Sequence, residues 1–255
     1  MTIVCTMPVA TTTHGGSRRL PFVGNYWTGL VPDNPNVGPA LTDFNGMLHV
    51  AYSAGGDLVH YQYDESTKRW GKRFLLARSS ATPSLQAFDG WLFCAFRADD
   101  SHLMYTTWDP VDGWMKPMST NKATWGSPAL YLLDDKLCLL FSENDGDRRT
   151  MNTVFDPSAK LWSRKPIAAS NQKTAYGVSA TGFNQGTALM AYQSNDGKGL
   201  VLVDTYGNGS WQHEEAVRGS SSTDTPAIAI LNDVITMAYN ARNGNADLLW
   251  SHQHF

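Results

Sequence analysis

The feature that most constrains this chain is that it repeats itself. "GPALTDFNGMLHVAY" begins at Gly38. The same wording returns as "TPSLQAFDGWLFCAF" from Thr82, "SPALYLLDDKLCLLF" from Ser127, "GVSATGFNQGTALMAY" from Gly177 and "TPAIAILNDVITMAY" from Thr225. The steps between starts are 44, 45, 50 and 48 residues. A period of that length means that one supersecondary unit is built several times over and that each copy completes its core against its neighbours.

Each unit reads as short strands. A first segment such as "PALTDF" ends in a turn rich in Asn, Asp and Gly, at Asn45, Asp89, Asp134, Asn184 and Asn232. These residues tolerate the positive φ of tight hairpins. The second segment ("MLHVAYS", "WLFCAFR", "KLCLLFS", "TALMAYQ", "VITMAYN") is apolar at nearly every position, which suits burial on both faces. A polar turn and a third strand follow. In four units a further turn leads to Trp70, Trp114, Trp162 or Trp211 and a more polar fourth segment. No segment carries helical periodicity over three turns, and the leucine-rich and helical repeat patterns are absent.

Four short antiparallel strands per period are what a β-propeller blade requires. The expected fold is therefore all-β: a single domain over residues 1–255, forming a five-bladed β-propeller of four-stranded antiparallel blades. The last unit stops at Phe255 after its third strand, and "NYWTGLVPDNPNV" stands just before the first unit. Residues 25–37, with Trp27, are expected to supply the missing outer strand, close the ring and cover an exposed edge. A six-bladed ring, with residues 1–24 in a degenerate extra blade, is the alternative.

Composition narrows the function classes. Hydrophobic residues are 42% and charged residues 17% of 255, which is a core-forming balance. The net charge is −3 and no basic block occurs, so nucleic acid is not an expected partner. No apolar run approaches the ~18 residues of a membrane span, so no membrane insertion is expected. Oligomerisation is left open. The N-terminus lacks a basic n-region and a long apolar stretch, which points to a cytoplasmic protein or one released without a classical signal peptide. Of the three cysteines, Cys94 and Cys138 fall at matching points of two apolar strands and read as buried free thiols. No Cys or His partner sits at ligand spacing, so neither a metal nor another cofactor is expected.

Catalytic constellations were sought first. There is no Gly-rich phosphate loop, no HExxH, no Cys–His cluster and no GxSxG. A glycosidase needs two carboxylates in different roles. The candidates Asp43, Asp89, Asp134, Asp135, Glu143 and Asp233 mostly recur at the same hairpin turn, which favours service to the turn. Arg97 and Arg242 follow the second strand in two units, where others have Ser53, Ser142 or Gln193. No catalytic residue is assigned.

Aromatic residues are 11% of the chain. Sugar C–H faces stack on such rings while sugar hydroxyls take planar polar partners. Trp27, Trp70, Trp114, Trp162 and Trp211 recur once per unit, either packed between neighbouring blades or lining pockets there. Tyr52, Phe96, Phe141, Tyr192 and Tyr239 lie in the most apolar strand and read as core. The polar turn after that strand carries Asp57, Asp99, Asn144, Asn195 and Asn243, which serve either the turn or a ligand.

The pattern [ST]PAL…F[ND]G.L…A[YF]…D…W over residues 38–255 resembles the tandem-repeat β-propeller lectins of bacteria and fungi. The five-fold count is similar to that of tachylectin. The "SPAL" starts look like those of fungal fucose-binding propeller lectins, which have six blades. The segments "YDESTKRW", "WDPVDGW", "FDPSAKLW" and "TYGNGSW" are similar to degenerate Asp-box hairpins of sialidases, which are structural devices. The resemblance implies a multivalent, non-enzymatic carbohydrate-binding protein whose partners are glycans or glycoproteins. Weak repeated sites gain avidity when several engage one surface. Its candidate binding residues are Trp27, Trp70, Trp114, Trp162, Trp211, Asp57, Asp99, Arg97, Asn144, Asn195, Arg242 and Asn243. A glycoside hydrolase or sialidase-like enzyme on the same scaffold, and a protein–protein interaction propeller, are the alternatives.

Overall fold

A computed structural model describes residues 38–64, 66–183, 186–217, 222–231, 234–240 and 248–254. Every regular element among them is a strand, and the pairings between strands are antiparallel. The expected closing segment 25–37, with Trp27, and the candidates Arg242 and Asn243 lie outside the described residues.

The first unit is a four-stranded meander of β1 (Ala40–Phe44), β2 (Met47–Ala54), β3 (Asp57–Asp64) and β4 (Arg69–Arg78). The second runs β5 (Ser84–Phe88), β6 (Trp91–Arg97) and β7 (His102–Asp109). Its outer position is divided between β8 (Gly113–Trp114) and β9 (Met118–Ala123). The third has β10 (Ala129–Leu133), β11 (Lys136–Ser142), β12 (Arg149–Asp156), β13 (Leu161–Trp162) and the first part of β14 (Ile167–Gly182). The rest of β14 opens the fourth unit, continued by β15 (Ala188–Ser194), β16 (Val201–Gly207) and β17 (Ser210–Ala216). The fifth comprises β18 (Ala227–Leu231), β19 (Val234–Asn240) and β20 (Leu248–His254).

Two departures from a uniform four-strand unit have reasons in the sequence. Pro117 and Pro166 fall in the outer strands of units two and three, where a missing N–H interrupts the ladder. Units one and four have no proline there, and β4 and β17 are continuous. The first strands of units two, three and five follow Pro83, Pro128 and Pro226, whereas unit four has Val178. Val178 keeps its N–H and donates it to the Ser127 carbonyl at 3.1 Å, so β14 runs unbroken from one unit into the next.

The hairpins between first and second strands take left-handed backbone at Asn45-Gly46, Asp89-Gly90 and Asp134-Asp135. The second strands β2, β6, β11 and β15 are buried along most of their length. The core is divided among the contacts between consecutive units. Ala51 and Leu58 pack with Leu92 and Phe96, Phe93 and Leu103 with Leu137 and Leu139, and Tyr131 and Cys138 with Met190 and Tyr192. Leu189 and Val201 pack with Ile228 and Met237. Each such buried side chain contributes on the order of 1.5–3 kcal/mol. The first strands stand side by side in chain order, β1 against β5, β5 against β10, β10 against β14 and β14 against β18. Close approach there requires glycine. A Cβ on Gly126 would overlap the Tyr176 carbonyl, and one on Gly177 would overlap the Ser127 backbone.

Candidate functional site

The linkers between units are built alike. Ser79, Thr124, Thr174 and Ser222 each stand four residues before the Pro or Val that opens the next unit, and all four are buried. Their amides bond back to their own unit's polar turn, at Gly56 O (2.9 Å), Ser101 O (2.9 Å), Arg148 O (3.3 Å) and Gly199 O (2.8 Å). Their hydroxyls donate forward to Ala81 O (2.7 Å), Gly126 O (3.1 Å), Gly177 O (3.0 Å) and Asp224 O (2.8 Å). These hydroxyl-to-carbonyl bonds set where each linker passes.

Arg97 belongs to this framework. Its Nε donates to Thr124 O at 2.9 Å, and its two Nη atoms reach Ser80 Oγ (2.7 Å) and Ser101 Oγ (2.5 Å). At the same register place, Ser53 Oγ donates to Ser79 O (2.8 Å) and Gln193 Nε2 to Ser222 O (2.6 Å). Arg97 lies opposite Leu103 in its sheet, and the residue so placed in the fifth unit is Asn240, opposite Leu248. Arg242 itself lies outside the described residues.

The acidic and amide turn residues are largely occupied. Arg78 lies between Asp99 (2.9 Å) of the next unit and Asp57 (3.7 Å) of its own, and all three side chains are exposed. Asn144 and Asn195 are exposed beside Asp145 and Asp196, whose carboxylates cap their own turns. The Ser194 hydroxyl holds Asp196 below the usual carboxylate range, and Lys173 does the same for Asp147. Arg78, Asp99 and Asp100 rim a cleft of about 370 Å³ whose floor is Ala77, Phe96, Ala98, Met104 and Pro117.

The hairpins before Trp70, Trp114 and Trp162 repeat a further device. Asp64 accepts the amides of Ser66 and Thr67, Asp109 those of Val111 and Asp112, and Asp156 those of Ser158 and Ala159. Bonds from the Ser66 and Thr67 side chains and amides bring Asp64 down to about 2. A carboxylate so occupied shapes a turn rather than moving protons.

The tryptophans join units. Trp114 meets His60 of unit one (ring centroids 5.3 Å apart), Trp162 meets Tyr105 of unit two (5.8 Å) and Trp211 meets Tyr131 of unit three (6.2 Å). Trp70 packs edge-on against Tyr63 at 5.1 Å. Trp114, Trp70 and Trp211 are half-buried. Trp162 is 5% exposed, so this candidate has no open face for a sugar: Phe155 and Tyr105 cover it.

The open aromatic surface is elsewhere. Trp125 is 39% exposed on the linker between units two and three. Its amide donates to Ser142 O (2.9 Å) and its indole Nε1–H to Ala175 O (3.1 Å), so it is tied to units three and four. The Arg148 guanidinium lies over the ring, 3.6 Å from its centroid. Glu143 bridges Thr124 through the backbone, and its carboxylate is 3.2 Å from Arg149. Tyr176, 44% exposed, follows Ala175. One exposed apolar ring thus carries a planar cation on its face, and the residue after Arg148, Arg149, is paired with the Glu143 carboxylate; rings, planar cations and carboxylates are groups that orient a hydroxylated ligand. A search for residues recurring once per unit passes over Trp125, because the equivalent positions are Ser80, Ala175 and Thr223. The available signal was a bulky ring in a linker that is otherwise small and polar.

A second cleft, of about 500 Å³, opens where Asp43, Asp89 and Asp135 meet Phe44, Phe88 and Leu132 at the first hairpins of three successive units.

No family model and no curated protein matches the chain. Solved structures do. The SapL1 lectin in complex with alpha methyl fucoside is 16% identical, with a TM-score of 0.64 over 86% of this chain and 80% of the other. The fucose-specific lectin from Aleuria aurantia is 12% identical, with a TM-score of 0.63 over 84% of this chain and 74% of the other. GH43B of the Bacteroides ovatus xyloglucan locus is 12% identical, with a TM-score of 0.57 over 86% of this chain and 52% of the other. The shared architecture is a β-propeller. Identity this low carries the fold alone, and the same fold appears here in lectins and in a GH43 protein. The units described above are blades.

Proposed function

We propose that the chain is a carbohydrate-binding propeller, a lectin without enzymatic activity, that holds glycans in grooves between blades. The observation that carries this reading is Trp125, an exposed ring at a blade junction with Arg148, Arg149 and Glu143 around it. A sugar face stacked on Trp125 takes the place of Arg148 on the ring, at a cost of about 0.5–1 kcal/mol for the exposed cation–π contact. The freed guanidinium and Glu143 then bond sugar hydroxyls. The groove under Arg78 and Asp99 is the related site between blades one and two, and the polar turns of later blades give the basis for several sites. Alpha-methyl fucoside is the first ligand to titrate, since one lectin of the same fold is in complex with it and another is named fucose-specific. The reading extends to five blades in one domain.

The experiment is a glycan array followed by calorimetric titration of the strongest binder, with an aryl-glycoside hydrolysis assay alongside. Trp125→Ala is expected to lose at least about fivefold in affinity, the equivalent of ~1 kcal/mol of stacking. Its melting temperature should fall only slightly. Arg148→Ala should also weaken binding. Glycan binding untouched by both changes would sink the site, and no glycan binding at all would sink the function. A hydrolase reading is favoured by the cleft where Asp43, Asp89 and Asp135 converge. Turnover lost in Asp135→Asn would establish it instead.

A further inference from the structure

We propose that the buried pair His49–His60 makes the contact between blades one and two acid-labile, because a proton taken up by either imidazole breaks the hydrogen bond that joins Trp114 to His60. The proposal is independent of the carbohydrate reading.

Both histidines are fully buried, His49 on β2 and His60 on β3. Their rings lie within 9° of parallel, and His49 Nδ1 is 2.9 Å from His60 Nε2. From blade two, the Trp114 indole Nε1–H donates to His60 Nδ1 at 3.3 Å. An indole N–H only donates, so His60 Nδ1 must be the acceptor. The His60 proton is then on Nε2 and is donated to His49 Nδ1. His49 in turn carries its proton on Nε2, a buried atom with no hydrogen-bond partner. One tautomer of each ring satisfies the chain.

An added proton has no harmless place. If His60 becomes imidazolium, its Nδ1–H meets the Trp114 N–H, donor against donor. If His49 becomes imidazolium, its Nδ1–H must donate to His60 Nε2. The His60 proton then moves to Nδ1 and meets the same indole. In both cases the bond from blade two is lost and a charge is left in an apolar interface.

The described neighbours of that charge are mostly apolar. Trp108 lies 5.2 Å from His49 and 5.6 Å from His60, and Phe44 lies 5.8 Å from His49. Asp43 on β1 is the carboxylate that acts on His49, and Arg73 on β4 stands opposite His60 in register. On the blade-two side, Leu92, Cys94 and Phe96 complete the cluster, with burial keeping the Cys94 thiol protonated. Burial pushes His49 below its ordinary value of 6.5 and outweighs the Phe44 backbone and Asp43.

The sign follows. The unfolded chain takes up protons first, so stability is complete above about pH 6.5 and falls as pH drops below it. For His49 the fall reaches up to about tenfold in the folding constant per pH unit. Asp64, Asp100, Asp147 and Asp196 lie below 3.8, so they act at lower pH. The cleft over Ala77, Phe96 and Met104 spans the same blade contact and would open with it.

The test is denaturant unfolding of the full chain at pH 7.5, 6.5, 5.5 and 5.0, with NMR of the histidine ring nitrogens and the Trp114 indole N–H. The expected result is about a fivefold loss in folding constant between pH 6.5 and 5.5, with both rings in the Nε2–H form at pH 7.5. The Trp114 resonance should move over the same interval. His102→Gln, a change at an exposed histidine paired with Asp100, should leave the acid loss in place. A flat stability profile overturns the proposal. So does a folded protein at pH 5.5 that holds an imidazolium while the Trp114 resonance stays put. A folded His60→Gln variant that keeps the whole acid loss also overturns it, and if that variant does not fold the wild-type spectra decide.

Discussion

Replacing Trp162 with alanine separates the packing role of a recurring tryptophan from a binding role. Trp162 closes the third blade and is 5% exposed. Phe155 of its own blade lies 5.2 Å away, and Tyr105 of the second blade meets it edge-on at 5.8 Å and 85°. Truncation removes an aromatic payload from the centre of the cluster that joins two blades. Tryptophan-to-alanine changes in such places cost about 3–5 kcal/mol. In a chain of this size that lowers the melting temperature by roughly 6–20 °C. Trp162→Phe should cost much less: it keeps most of the ring and removes an indole N–H that is buried without a partner. Circular-dichroism melts of both variants, with glycan titration of whichever remains folded, give the answer. A Trp162→Ala protein that melts like wild type but no longer binds glycan would refute the packing argument and make Trp162 a binding residue.

Arg97→Lys loses the fork that spans Ser80, Ser101 and Thr124, and a lysine cannot reach all three; unfolding in urea should show a loss of about 1–3 kcal/mol with an unchanged slope. Gly126→Ala forces a methyl into the Tyr176 carbonyl and should cost at least about 1–3 kcal/mol, read from the same unfolding curves. Burial pushes the Cys138 thiol up to about 11 and holds Cys94 protonated, so neither should react with a thiol reagent at pH 8 until the chain unfolds, as peptide mapping after labelling would report.

Much of this molecule was legible in one dimension. Repeat length, apolar second strands and Asn-Gly or Asp-Gly turns are local signals, and they led to antiparallel units with left-handed turn residues at Asn45, Asp89 and Asp134. The Asp before the turns of Trp70, Trp114 and Trp162 was legible for the same reason, since its carboxylate bonds amides two and three residues ahead. Even the broken outer strands were written in Pro117 and Pro166. What a side chain does at a blade junction was not, because its partner lies some 50 residues away in a neighbouring blade. Arg97 and Gln193 differ in type yet both bond a linker carbonyl, and only the sheet register places Asn240 in that row. The recurring Trp162 is enclosed because Tyr105 of the preceding blade covers it, whereas the unrepeated Trp125 stays 39% exposed on its linker. Periodicity marks residues that every blade needs for packing; the exposed ring of Trp125 stands where one blade departs from the pattern, and exposure there is decided by the neighbour.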